Sequence, residues 1–210
     1  MDIAHTSILI RIIFFNLGYR ALSDLRSAAE LVQGDICTLA WHVRNLHEID
    51  LTLRYITSDE ANVAVWSAQM FGDEIDVVEG FLVLAKEMST ADRERLTARA
   101  AGIRSHAIAM GLTIGRPWRT SEIAKATGRD LEYRLFYKFY SKFVHPTSWI
   151  VNGRPARTGS QAYRDLLVGL AQALGDRISR IMIEQFHLEG AEDEPIDPCV
   201  DWRLREDGRE

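Results

Sequence analysis

Residues 35–59, DICTLAWHVRNLHEIDLTLRYITSD, decide the fold. Neither glycine nor proline interrupts them, and Asp35 stands where a helix N-cap is wanted. Apolar residues fall almost all round the resulting helix, at Ile36, Leu39, Trp41, Val43, Leu46, Ile49, Leu51, Leu53, Tyr55 and Ile56. A helix apolar on every side belongs in the interior of a helical protein. Yet Arg44, His47, Glu48, Asp50 and Arg54 are embedded in the same stretch, and buried charges require partners. Arg44 with Glu48, and Asp50 with Arg54, have the four-residue spacing of ion pairs on one helix face. The charges therefore serve either as structural pairs or as one wall of a polar cleft, in which Arg44, His47 and Glu48 face groups from elsewhere in the chain.

Outward from this segment the chain reads as helix after helix. No proline occurs before Pro117. Helical periodicity covers 3–32, with Gly18 as a bend, and resumes from Ser58 or Asp59 to about residue 88. STAD at 89–92 resembles a capping box with aspartate in the usual glutamate position, opening a further helix to about 110. Gly111, Gly115 and Pro117 break the pattern. A short helix follows at TSEIAKATG, closed by Gly128, then one from Asp130 to Val144 and a last one over 160–188. The loop 146–160 holds two prolines, and its WIV reads as a short extended piece. Strand patterns are nearly absent. The expectation is all-α: a multi-helix bundle of about five long helices plus one short helix, forming one domain over 1–188 with an acidic tail over 189–210.

Charge distribution narrows the partners. The chain carries a formal −5, but the tail alone holds nine acidic residues against three arginines, leaving the body near neutral. Nothing pulls a polyanion in globally, so any such site must be a local patch. Two cysteines, Cys37 and Cys199, are too few for a disulfide framework and fit a cytoplasmic chain. SILIRIIFFNLGY at 7–19 is divided by Arg11 and falls short of the roughly 20 residues a membrane span needs. It reads as a buried helix, neither signal peptide nor anchor. The tail, with Trp202, is expected to be disordered or to act as a docking arm.

One segment carries candidate chemistry. In YKFYSKFVHPTS, residues 137–148, Tyr137, Lys138, Ser141 and His145 lie within about 60° of Arg134 at ~100° per residue, across the axis from Leu135, Phe136, Phe139 and Phe143. Pro146 forces His145 out of helical geometry and ends the helix. A solvated polar stripe explains the pattern simply. As a site, His145 at the negative end of the helix dipole is a general acid or base, and Arg134 and Lys138 hold phosphate. Such parts suit metal-independent RNA cleavage, and one histidine rarely performs both proton transfers, so a symmetric dimer supplies the second.

Arg44, three residues, then Glu48, followed later by Tyr137, Ser141, His145 and Pro146, with the short helix of WRTSEIAKATG between, resembles a widespread family of uncharacterised helical bacterial proteins over about residues 36–185. That family is similar in turn to the HEPN group of helical domains, many of them dimeric ribonucleases in toxin and phage-defence systems. The HEPN signature places four to six residues between an arginine and a histidine. Here Arg44 and His47 have two between them and Arg134 stands eleven before His145, so the resemblance implies a composite site built across helices or subunits. It implies catalysis by His145, Ser141, Arg44 and Glu48, binding by Arg134, Tyr137, Lys138 and His47, RNA as substrate, and a homodimer. The alternative is a non-catalytic helical module that binds a protein or ligand, with the same residues as a structural polar network. No cofactor and no metal are expected. Only Glu184–His187 has the Glu-x-x-His spacing of a di-iron bundle, and no phosphate-loop or dinucleotide motif occurs.

Overall fold

The computed structural model describes residues 3–84, 88–116, 118–153 and 159–186, the side chains of 3–8 and 84 excepted. The expectations for the tail, for Trp202 and Cys199, and for His187 of the Glu184–His187 pair fall on residues outside these. The described residues form eight helices and no strand: α1 (Ile3–Glu30), α2 (Ile36–Ser58), α3 (Glu60–Leu84), α4 (Thr90–Ala109), α5 (Thr120–Ala126), α6 (Asp130–Val144), α7 (Ser148–Val151) and α8 (Gln161–Phe186). Six of them have 15 residues or more. The chain is an all-α bundle.

Local chemistry sets the boundaries. The Asp35 carboxylate accepts the Thr38 N–H at 2.7 Å and starts α2. Ser89 Oγ accepts the Asp92 N–H at 3.1 Å and so caps α4, while its hydroxyl donates to the Asp92 carboxylate. Gly128, at φ +70°, closes α5 in the left-handed conformation that costs glycine least. His145 is extended (φ −114°, ψ 148°), as the proline after it requires.

α1 is one helix through Gly18, whose missing side chain makes room for Met182 of α8: a Cβ there would lie 2.7 Å from the Met182 methyl. One expectation is corrected. WIV is not extended but forms the single turn α7, because Thr147 takes an extended N-cap geometry and the chain can coil after it.

α2 is the central helix, touching α1, α3, α5, α6 and α8. Its Leu39, Val43, Leu46 and Leu53 are fully buried with Phe14 of α1, Tyr140 and Phe143 of α6, and Leu167 and Leu174 of α8. Each such side chain contributes roughly 1.5–3 kcal/mol by leaving water. Farther along α2, Leu51 and Tyr55 pack on Ile123 and Ala124 of α5, with Trp118 against the Tyr55 ring. α3 and α4 form a hairpin with a smaller core of its own around Ala68, Phe71, Ala107 and Leu112. α8 also stoppers α1: the buried Arg164 guanidinium donates to the Leu31, Val32 and Gly34 carbonyls at 2.9–3.2 Å, in the turn that follows α1.

Candidate functional site

α6 lies antiparallel on α2, as successive contacts show. Leu51 shares a cluster with Tyr133, His47 packs on Phe136 and Tyr140, and Arg44 lies against Tyr137. Polar groups of the two helices divide into a buried network and a wetter seam.

The seam carries the predicted rung. Arg44 Nε donates to Glu48 Oε1 at 2.9 Å, and the same guanidinium lies 5.3 Å over the Tyr137 ring. Three of the predicted residues are thus brought together, partly exposed. A cation over an aromatic face contributes about 0.5–1 kcal/mol at such a site, and here it fixes the direction of the guanidinium. Tyr133 stacks on Tyr137 at 5.0 Å, and burial, reinforced by Tyr137 and Glu48, pushes its phenol above the usual range.

Ser141 and His145 continue along α6 beyond Tyr137 by about 6 and 12 Å at 1.5 Å per residue. Ser141 Oγ donates to the Lys138 carbonyl at 3.0 Å. His145 is exposed, and its imidazole has no hydrogen-bond or ion-pair partner among the described residues. Arg134 is exposed and paired with Asp130 at 2.7 Å, while Lys138 and Lys142 are exposed without an ion pair among the described residues. Neither Ser141 nor His145 is linked to Arg44 or Glu48 by a hydrogen bond or ion pair among those residues. Leu135, expected on the core face of α6, is instead exposed, as is Leu131 one turn before it. The core face is rotated toward Glu132, Tyr133, Phe136 and Tyr140, because a polar cluster inside the bundle receives Glu132.

That cluster also takes in His47, which faces away from the seam and is only 2% exposed. Its Nε2 lies 3.7 Å from Glu132 Oε1, and its ring is walled by Tyr133, Phe136 and Tyr140. Burial lowers the His47 pKa, with Glu132 and Asp50 pulling partly the other way. Arg177 of α8 donates to the Glu132 carboxylate at 2.7 and 3.2 Å and lies 3.5 Å from Asp50 Oδ2, an ion pair without a hydrogen bond. Asp50 is wholly buried and also receives Arg54 Nε at 3.1 Å, the second predicted pair. Arg129 completes the set, 2.9 Å from Glu132. Burial alone would raise the Glu132 pKa, but the Arg177 hydrogen bond and the charges of Arg177 and Arg129 outweigh it and leave it below the usual carboxylate range. Burial and Glu132 push the Tyr140 hydroxyl up. Glu132, Tyr140 and Arg177 have no signal in the sequence that singles them out: each lies on an amphipathic helix among other polar residues, 45 positions separating Glu132 from Arg177.

Among the described residues no three His, Cys, Asp or Glu side chains gather to hold a metal, and no helix is long and apolar enough to cross a membrane. Residues 12–154 match a family of unknown function, DUF5677, and the chain belongs to that family. The match takes in Arg44, Glu48, Tyr137, Ser141 and His145 and ends before α8. Searches of curated proteins and of solved structures each found no match.

Proposed function

We propose that this DUF5677 protein acts on RNA at the α2–α6 seam as a metal-independent endoribonuclease of HEPN-like type, in the manner of a toxin or phage-defence factor. The observation that carries the reading is the outer stripe of α6: Lys138, Lys142 and His145 are exposed and uncommitted beside the Arg44–Tyr137 stack. This is the local cationic patch that a chain of net charge −5 needs in order to hold a polyanion. In the reaction, a base removes the 2′-hydroxyl proton as its oxygen bonds to phosphorus. The bond from phosphorus to the 5′-oxygen breaks, and an acid protonates that oxygen, giving a 2′,3′-cyclic phosphate and a 5′-hydroxyl. His145 performs one of these transfers. A second copy's histidine performs the other, which makes the homodimer the active form. Lys138 and Lys142 hold phosphates and Arg44, about 12 Å from His145 along α6, holds a different one.

The test is cleavage of total RNA in the presence of a chelator by wild type and His145→Ala. Loss of cleavage with an unchanged melting temperature is expected, since His145 is exposed. Cleavage surviving in His145→Ala, or absent from wild type, refutes the reading. A second reading, a non-catalytic protein- or ligand-binding module, draws on a specific feature: Glu48 already neutralises Arg44, and Asp130 neutralises Arg134. On that reading purified wild type leaves RNA intact.

A further inference from the structure

Four residues outside the seam close a ring between α1 and α2. Asp24, buried to 1% exposure, receives Arg20 Nε at 2.9 Å on one oxygen and meets His42 Nδ1 at 2.8 Å with the other. The His42 ring lies edge-on to Trp41 at 4.9 Å, and the Arg20 guanidinium returns over Trp41 at 5.6 Å. Helix-to-helix clamping explains Asp24 and His42. It does not explain Trp41, which is 41% exposed in a bundle whose interior has room for Tyr55, Tyr140 and Phe14. A large indole held at the surface by a cation and an imidazole is a flat, preorganised face.

Its position on α2 gives that face a context. Trp41, Arg44 and Glu48, spaced three and four residues apart, share one stripe of the helix. Trp41 and Arg44 are about 4.5 Å apart along the axis. Two arginine–aromatic stacks therefore flank the same stripe, Arg20 on Trp41 from α1 and Arg44 on Tyr137 from α6. Alternating cations and aromatic faces are what an unpaired strand needs: phosphates take the guanidinium groups, and bases, whatever their identity, take the rings. A duplex hides its bases in the stack and cannot use such a surface.

We infer that Trp41 is a base-stacking subsite, and that the strand bound at the α2–α6 seam crosses α2 to reach it in single-stranded form. The inference rests on the RNA reading above and adds to it the subsite and the strandedness of the substrate. Arg20 holds the indole and contributes charge, while Asp24 and His42 are positioning residues.

The experiment is fluorescence anisotropy of an end-labelled single-stranded 12-mer RNA and of the same sequence as a blunt duplex, with wild type, Trp41→Ala and Trp41→Phe, each checked by thermal melting. Wild type is expected to prefer the single strand at least tenfold. Trp41→Ala weakens single-strand binding by about 5- to 150-fold, the range of one lost base stack, leaves duplex binding within twofold, and is largely rescued by Trp41→Phe. If wild type binds single strand and duplex equally, or Trp41→Ala binds the single strand as well as wild type does, the subsite is overturned while RNA binding stands. If wild type binds neither RNA, the RNA reading falls and takes the subsite with it.

Discussion

Replacing Arg177 with methionine tests the central packing argument. The guanidinium is 23% exposed and serves two carboxylates at once, Glu132 at 2.7 Å and the fully buried Asp50 at 3.5 Å. Methionine fills a similar volume, so the cavity contribution is small and the loss is electrostatic. Removing one partner of a buried pair costs about 3–5 kcal/mol, because the remaining charge stays desolvated and uncompensated. Two features lower the figure: Arg177 is partly wet, and Arg129 and Arg54 still attend one carboxylate each. A loss of about 3 kcal/mol is therefore expected, a drop in melting temperature of roughly 6–12 °C for a domain of this size. Urea unfolding of Arg177→Met, Glu132→Gln and the double variant separates the pair from its surroundings. With Glu132 neutral the arginine has less to compensate, so the double variant is less destabilised than the sum of the singles by at least about 1 kcal/mol. An Arg177→Met cost under about 1 kcal/mol, or strict additivity with Glu132→Gln, would show that the guanidinium does not sustain these carboxylates.

Arg164→Ala removes donors from three carbonyls in the turn that follows α1 and is expected to cost about 2–3 kcal/mol, with hydrogen exchange accelerated first in the last turn of α1. Unchanged exchange there would refute the stopper role. Stability should also fall with acidification in two stages. The His47 pKa is depressed in the folded chain, so the unfolded chain takes up the proton first, and stability present above about pH 6.5 is lost as the pH falls below it. Glu132, also depressed, adds a loss of the same sign below about pH 4.5. Urea midpoints between pH 8 and 3 measure both, and His47→Leu should flatten the upper stage; a wild-type midpoint that is level from pH 7 to 5 contradicts the assignment.

What was legible in the sequence was local. Four-residue spacing along residues 35–59 gave the Arg44–Glu48 and Asp50–Arg54 pairs, because two side chains one turn apart on a helix meet whatever surrounds them. Caps were legible for the same reason, as Asp35, Ser89 and Pro146 act within three residues of themselves. The rotation of α6 about its axis was not. A wheel drawn from residue types places Leu135 inward, since leucine outweighs glutamate on any hydrophobicity scale. The bundle instead admits Glu132, because Arg177 arrives from another helix to meet it, and Leu131 and Leu135 go to the surface. Of the candidate site, the Arg44–Glu48 rung was legible, but the residue of α6 that meets it is Tyr137 and not the Ser141 and His145 expected to face it. Which histidine would be buried was not: His47 and His145 look alike until the neighbours of each are known.

That difference bears on how the seam is held. α6 is fixed to α2 at two levels, by the contacts of the buried His47 and Asp50 with Glu132 and Arg177, and by the stack of Arg44 on Tyr137. The first level orients α6 from beneath. A helix held only by aromatic packing could roll by some tens of degrees at little cost, since ring faces tolerate sliding. A guanidinium forked onto the Glu132 carboxylate does not tolerate it, because the hydrogen-bond directions are set by its plane. The half-exposed position of Tyr137 and Ser141 and the exposed position of His145 are thus a consequence of the charge pairing of Glu132 on another side of the same helix. The charged residues embedded in the interior helix 35–59, which needed partners there, are what turns the outer stripe of α6 outward.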